Sequence, residues 1–275
     1  MISVITPCLN LIKEGRKESF EKMMLSVHDQ SYKPIEHIVV DGNSKDGTLG
    51  LIKKYKAKGW ISKVIILKRN RKIYASLNRG ILASKGQYIN IMNTDDYITD
   101  KNFFNKSISM IKNERLDFTH ADRRVNSKEG KRSWIKKGNE KQAFFRMPFR
   151  HQTMIVKKQL FKEIGLFDEK YKVASDYKWI MKMLLAGKKG KHIPRVFISS
   201  LEGGISSNRK LCIKEVSQVL YEIYGKKYNL SREDCKNIYL RKINLKLLKK
   251  IMVNIKNWKI KISLLYCFYT QQFTS

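Results

Sequence analysis

Short apolar runs bounded by turn residues alternate with helix-spaced segments along the N-terminal part of the chain. Residues 2–6 read as a buried strand, and residues 17–30 then place Phe20, Met23, Met24 and Val27 at helical intervals. A second strand over 35–40 is preceded by Pro34 and stopped by Asp41-Gly42. A helix over about 48–58 carries Leu49, Ile52 and Tyr55, and a strand over 63–67 follows. The spacing predicts a third helix over 74–84 and a fourth strand over 87–92 that runs into Asn93-Thr94-Asp95-Asp96. Alternation of this kind predicts an α/β fold, with a mostly parallel central sheet covered by helices on both sides. In such sheets ligands gather beyond the carboxyl ends of the strands. Segments 7–10, 41–46 and 93–96 each follow a strand, so they are expected to share one crevice.

The middle of the chain is less regular. A helix is expected over 103–111, a strand over 116–121, and a charged connection over 125–138. Helices over 160–164 and 177–185 flank Gly165-Leu166-Phe167-Asp168. Beyond about residue 208 the pattern changes to Lys-rich helical segments. Ile243, Leu247, Leu248, Ile251, Met252 and Ile255 form an apolar stripe, while Lys242, Lys246, Lys249, Lys250 and Lys256 take other positions. An aromatic-rich stretch follows over 258–269. A basic amphipathic segment of this type suits an anionic membrane surface. It equally suits a helix packed on the rest of the protein with a solvated lysine face.

Charge sharpens that choice without making it. The chain has 57 Lys and Arg against 24 Asp and Glu, a formal +33. Such a field attracts nucleic acid, anionic lipid or phosphorylated small molecules. No helix-turn-helix, zinc-finger or stacking-aromatic signature accompanies it, so no nucleic-acid partner is expected. Cys8, Cys212, Cys235 and Cys267 are widely spaced and form no metal-binding pair, which points to free thiols in a reducing compartment. The first residues enter a strand pattern without the basic start of a signal peptide, and no run reaches the roughly 18 apolar residues of a spanning helix. A cytoplasmic protein resting on a membrane is expected.

Four places could carry chemistry. Asp41-Gly42-Asn43-Ser44-Lys45-Asp46-Gly47-Thr48 follows a strand and opens a helix; it is either a capped turn or a nucleotide-facing loop. Asp95 and Asp96 repel each other, which a surface turn tolerates, but at a strand end they could hold Mg²⁺ or Mn²⁺ against a diphosphate. Asp176, in Ala174-Ser175-Asp176-Tyr177, is a catalytic candidate or, with Ser175, a helix N-cap. His151 is a site candidate or an ordinary structural histidine.

Taken in order, these pieces resemble the family-2 glycosyltransferases of GT-A fold, bacterial surface-polysaccharide type. The resemblance rests on Ser3-Val4-Ile5-Thr6-Pro7 with Asn10, Ser26-Val27 with Gln30-Ser31-Tyr32, and Ile38-Val39-Val40-Asp41-Gly42-Asn43-Ser44-Lys45-Asp46-Gly47-Thr48. It continues through Ile73-Tyr74 with Asn78-Arg79-Gly80, Asn93-Thr94-Asp95-Asp96, His151-Gln152, and Ile164-Gly165-Leu166-Phe167-Asp168 with Ala174-Ser175-Asp176-Tyr177.

The resemblance implies a GT-A catalytic domain over 1–207, with a nucleotide-binding half over about 1–98 and an acceptor half over about 99–207. A helical basic region over 208–275 would follow. It also implies donor contacts from Thr6, Pro7, Asn10, Asp41, Asn70, Asn78, Asn93 and Asp95, with Asp41 accepting from a uracil ring. The metal would sit on Asp96 and Asp95, and the general base would be Asp176. His151, Gly204 and Ser206 would lie toward the acceptor or diphosphate. The implied reaction moves a sugar, with inversion, from a nucleotide-sugar to a lipid-linked glycan acceptor. Residues Lys68-Arg69-Asn70-Arg71-Lys72 depart from the acidic, glycine-rich stretch common in relatives, which bears on the donor's base and sugar. A nucleotidyltransferase would need a glycine-rich phosphate loop near the start, and residues 6–10 contain none. A nucleic-acid-binding basic protein and a catalytically inactive transferase relative are the alternatives.

Overall fold

The computed structural model describes residues 1–68, 72–127, 131–204 and 207–271. They form two compact units, each assembled from separated stretches of chain: 1–138, 149–169 and 188–202 in the first, and 139–148, 170–187 and 203–275 in the second.

The first unit holds a nine-stranded sheet. Strands β1 (Ile2–Cys8), β2 (Ile35–Asp41), β3 (Lys63–Ile66) and β4 (Tyr88–Ile91) pair in parallel in the order β3-β2-β1-β4. They alternate with helices α1 (Lys17–His28), α2 (Thr48–Ala57) and α3 (Ile73–Ala83), as the apolar spacing predicts. β1 has no exposed residue because both of its sides are covered, which explains why apolar Ile2, Val4 and Ile5 and small Ser3 and Thr6 fill both faces. α3 approaches β1 and β2 closely at Gly80: a Cβ there would lie 2.4 Å from Ile5 Cγ2. Only glycine fits that crossing.

Beyond β4 the same sheet becomes mixed. β8 (Ile155–Lys157) pairs antiparallel with β4, β6 (Phe118–Asn126) antiparallel with β8, and β9 (Gly190–Leu201) parallel with β6. β5 (Asp96–Ile98) closes the order against β9, and β7 (Ser133–Lys136) pairs with the outer half of β6. The stretch expected to be only a charged connection therefore contains a hairpin strand. α4 (Phe103–Asn113) buries Phe103, Phe104, Ile108 and Ile111 in the core, and α5 (Gln159–Glu163) buries Leu160 and Phe161.

The second unit is helical: α6 (Ser175–Leu185), α7 (Arg209–Leu220), α8 (Arg232–Tyr239), α9 (Leu245–Asn254) and α10 (Trp258–Gln271). Its interior centres on Tyr177 and Tyr224, whose hydroxyls donate to the carbonyls of Ala143 (2.8 Å) and Phe144 (2.7 Å). Cys235 and Cys267 are free and buried, with thiol pKa values raised by desolvation to about 12 and about 11. They are packing residues, protonated at any physiological pH. Segments 139–148 and 170–187 fold in this unit with the chain from 203 onward.

Candidate active site

The progression of strands reverses between β1 and β4, because β2 and β3 extend one way and α3 carries the chain back to the other side of β1. That is the switch point where α/β sheets open a ligand crevice. The loops after β1, β2 and β4 all leave the sheet there.

The first two loops are sewn together. Asn10, in the left-handed region at φ 48°, donates its backbone N–H to Ser44 Oγ and accepts from Lys45 N–H. Leu11 N–H donates to Thr48 Oγ1, and Lys13 N–H to Asp46 Oδ2, at 2.8 and 2.7 Å. Asp41 is fully buried at the end of β2. Its Oδ1 accepts from the N–H groups of Asn43 (2.9 Å) and Ser44 (2.8 Å), and its Oδ2 from the Ser44 hydroxyl (2.5 Å). Asp41 thus shapes the loop from within.

Two residues expected at the donor make contacts within the scaffold. Thr6 is buried, with its hydroxyl 3.0 Å from His37 Nε2 and turned toward Met23, because strand alternation points it beneath α1. Desolvation lowers the His37 pKa to about 4, so that imidazole is neutral. Asn78 donates from Nδ2 to Phe167 O and Glu169 Oε1 and accepts at Oδ1 from Phe167 N–H, latching α3 to the 165–169 turn. Pro7 stays inside β1 opposite Val40. Asn70 and Ser206 lie outside the described residues.

The third loop carries the charged cluster. Asn93 O accepts from Asp96 N–H at 3.2 Å, turning the chain from β4 into β5. Asp95 is half-buried, whereas Asp96 is buried and its Oδ2 has no hydrogen-bond partner; the half-buried Asn93 has an unmatched Oδ1 as well. Desolvation and the adjacent Asp95 raise the Asp96 pKa, against the lowering pull of Ser200, Arg123 and His151. His151 is placed there by a short turn whose carbonyls, Gln152 O and Met154 O, accept from Asn90 Nδ2 on β4.

Arg123, from β6, donates from Nη1 to Ser200 Oγ (3.3 Å) on β9. Its pKa falls to about 10 through desolvation and repulsion by Arg150, opposed by Asp96 and Asp95. Arg123, Arg150 and Ser200 had no assigned role in the sequence reading. The Arg123-Arg124 pair on a strand was the available signal, but only β6–β9 pairing brings it beside the carboxylates. Among the described residues no group of three or more His, Cys, Asp and Glu side chains is arranged to hold a metal ion. Asp95 and Asp96 are the pair that could, since an unmatched buried carboxylate oxygen beside a second carboxylate suits a hard cation.

Asp176 belongs to the second unit. It is buried in the first turn of α6, where its Oδ1 accepts from Tyr177 N–H at 2.8 Å. The N-cap residue of α6 is Ala174, so neither Ser175 nor Asp176 caps the helix. No side chain caps α6; Glu215 of α7 holds the turn just before it, its Oε2 accepting from the N–H groups of Lys172, Val173 and Ala174 at 3.0, 2.8 and 3.2 Å. That distant contact was invisible in the sequence, and Asp176 lies inside the helix. Gly204 adopts φ 79° at the edge of the same unit.

Among solved structures, S. aureus TarS (residues 1–349) in complex with UDP-GlcNAc superposes with TM-score 0.68 over 100% of this chain and 92% of that one, at 16% identity. The mannosyltransferase PcManGT from Pyrobaculum calidifontis, in complex with GDP-Man and Mn²⁺, gives 0.62 over 100% and 87%, at 14% identity. The fold is of GT-A type. An uncharacterised glycosyltransferase of Methanocaldococcus jannaschii is 25% identical over 96% of both chains. The Escherichia coli UDP-Glc:alpha-D-GlcNAc-diphosphoundecaprenol beta-1,3-glucosyltransferase WfaP is 28% identical over 44% of this chain and 45% of its own. The family model described as Glycosyl transferase family 2 matches residues 3–167, which span the switch-point loops and the carboxylate pair, and the chain belongs to that family.

Proposed function

We propose that this glycosyltransferase moves a sugar from a UDP-sugar to a hydroxyl of a lipid-diphosphate-linked glycan, with inversion at the anomeric carbon, in surface-polysaccharide synthesis. The reading places it on the inner face of the plasma membrane. The observation that carries it is the buried Asp96, with its unmatched Oδ2 beside Asp95 at the sheet's switch point. The UDP-GlcNAc complex of TarS supports the donor class, and the acceptor named for WfaP supports a lipid-linked glycan.

Asp96 and Asp95 would hold Mn²⁺ or Mg²⁺, the remaining oxygens coming from the donor diphosphate; the Mn²⁺ complex of PcManGT supports this. Bound there, the cation supplies neutralisation of charge growing on the leaving diphosphate. Arg123 and Arg150 add positive potential at the same loop. Asn10, Asp41 and Ser44 hold the nucleotide loop in shape, so the donor meets a preformed edge. Asp176, matched to the family's base by its motif, accepts the acceptor hydroxyl's proton as that oxygen attacks the anomeric carbon.

The test is nucleotide release from UDP-, GDP- and dTDP-sugars with Mn²⁺ or Mg²⁺. One donor should be hydrolysed slowly by wild type and not by Asp96→Ala. Asp176→Asn should retain nucleotide binding and lose transfer to acceptor. No nucleotide binding by calorimetry across the panel would overturn the reading.

A further inference from the structure

α10 is apolar on two opposite sides. One side is interior: Ile260, Ser263, Leu264 and Cys267 are buried. There Ser263 Oγ donates to Lys141 O, and Cys267 Sγ to Ile238 O. The other side carries Trp258, Ile262, Leu265 and Tyr269, spaced four, three and four apart and hence on one stripe. Trp258, Ile262 and Tyr269 are 65%, 51% and 63% exposed, and Leu265 is half-buried. A helix apolar all round normally has both sides covered. α9 adds an outer row of its own, Leu245, Lys249 and Val253, with Lys246 next to it, all exposed.

Charge identifies the cover. Beyond Asp234 the sequence contains no Asp or Glu, against eight lysines and one arginine. Lys246, Lys249 and Lys256 are exposed. α10 is 14 residues long, about 21 Å at 1.5 Å per residue, well short of the roughly 30 Å hydrocarbon core. No described helix is long and apolar enough to cross a membrane. An exposed apolar stripe with aromatic ends, too short to span and set in a segment whose charged residues are all cationic, is the chemistry of a helix lying in the interface of an anionic bilayer.

We propose that α10 is a monotopic membrane-docking helix. Trp258, Ile262, Leu265 and Tyr269 enter the headgroup–acyl boundary of an anionic leaflet, and Lys246, Lys249 and Lys256 hold its phosphates. The inference rests on this surface and stands apart from the donor and acceptor assigned above.

The test floats the full chain with vesicles of phosphatidylcholine alone or mixed with phosphatidylglycerol. Wild type should float with the mixed vesicles and remain behind with the neutral ones. The triple variant Trp258→Ser, Ile262→Ser, Tyr269→Ser alters only exposed positions and should bind at least roughly tenfold more weakly. Lys246→Gln, Lys249→Gln, Lys256→Gln should weaken binding roughly a hundredfold, since each near-surface cation contributes about fivefold. Both variants should hydrolyse a soluble donor like wild type, which separates this inference from the reaction. Wild type that fails to float overturns it, as does an apolar triple variant that floats unchanged. A stripe that instead mediates a concentration-dependent dimer in sedimentation, without vesicle binding, assigns the face to a second copy and also overturns it.

Discussion

A buried carboxylate with one oxygen lacking a hydrogen-bond partner is the residue-scale signature of this site. Asp96 sits where desolvation and Asp95 disfavour its charge, so its pKa lies above the usual carboxylate range. The fold favours the protonated form: Asp96 lowers stability at neutral pH, and that loss is relieved as pH falls through the raised pKa. If Asp96 and Asp95 hold Mn²⁺ as proposed, binding needs the anion, so affinity would be full above the raised pKa and would decline as pH falls through it. Electron paramagnetic titration of Mn²⁺ should therefore show acid release at a higher pH than an exposed aspartate pair would give; release only in the ordinary carboxylate range would contradict this account. Thr6 makes the converse case. Thr6→Val keeps the volume but leaves His37 Nε2 without its buried partner, which should lower stability by about 1–3 kcal/mol while UDP affinity stays unchanged. A large fall in UDP affinity with normal melting would return Thr6 to the nucleotide.

Elements were legible where they repeat. The strand–helix alternation through β4 follows the apolar spacing closely, because most elements there are long enough to show a period or are fully buried, and the short, partly exposed β3 still shows a Val-Ile-Ile run. β5 and β8 have three residues each, too few for any period. β9 hides for a different reason: Pro194 falls where the register with β6 jumps from Ala121↔Ile193 to Asp122↔Val196. A proline without an N–H is accommodated at such a bulge, and in the sequence it reads as an interruption. The hold of Glu215 on the turn before α6 is likewise an element-scale fact. Glu215→Ala removes the acceptor for the N–H groups of residues 172–174 and should cost about 1–2 kcal/mol. Transfer activity should fall with it, because Asp176 rides on that first turn, while nucleotide binding holds. Equal loss of both would refute the separation.

At the scale of the whole molecule, the two units divide the candidate residues. Asp41, Asp95, Asp96 and His151 belong to the sheet, and Asp176 to the helical unit. Gly80→Ala should show how much of the donor edge depends on sheet packing. Its new Cβ meets Ile5 and Val40, forcing α3 outward at about 1–3 kcal/mol, read as a lower unfolding midpoint in urea. An unchanged midpoint would mean that α3 yields freely. The +33 charge acts at this scale too, through long-range attraction that salt screens.

By itself the sequence determined the parallel half of the sheet, the three strand-end loops and the family. Those rest on local periodicity and on motifs contiguous in the chain. Tertiary structure alone decided what Thr6 and Asn78 touch, since which side of a strand or helix meets which neighbour depends on packing. It likewise brought Arg123 and Ser200 to Asp96 by pairing β6 with β9, and Glu215 to the start of α6, across 41–77 residues of chain. Charge and hydrogen-bond partners drawn from such separations leave no period and no motif; they exist only once the backbone has closed.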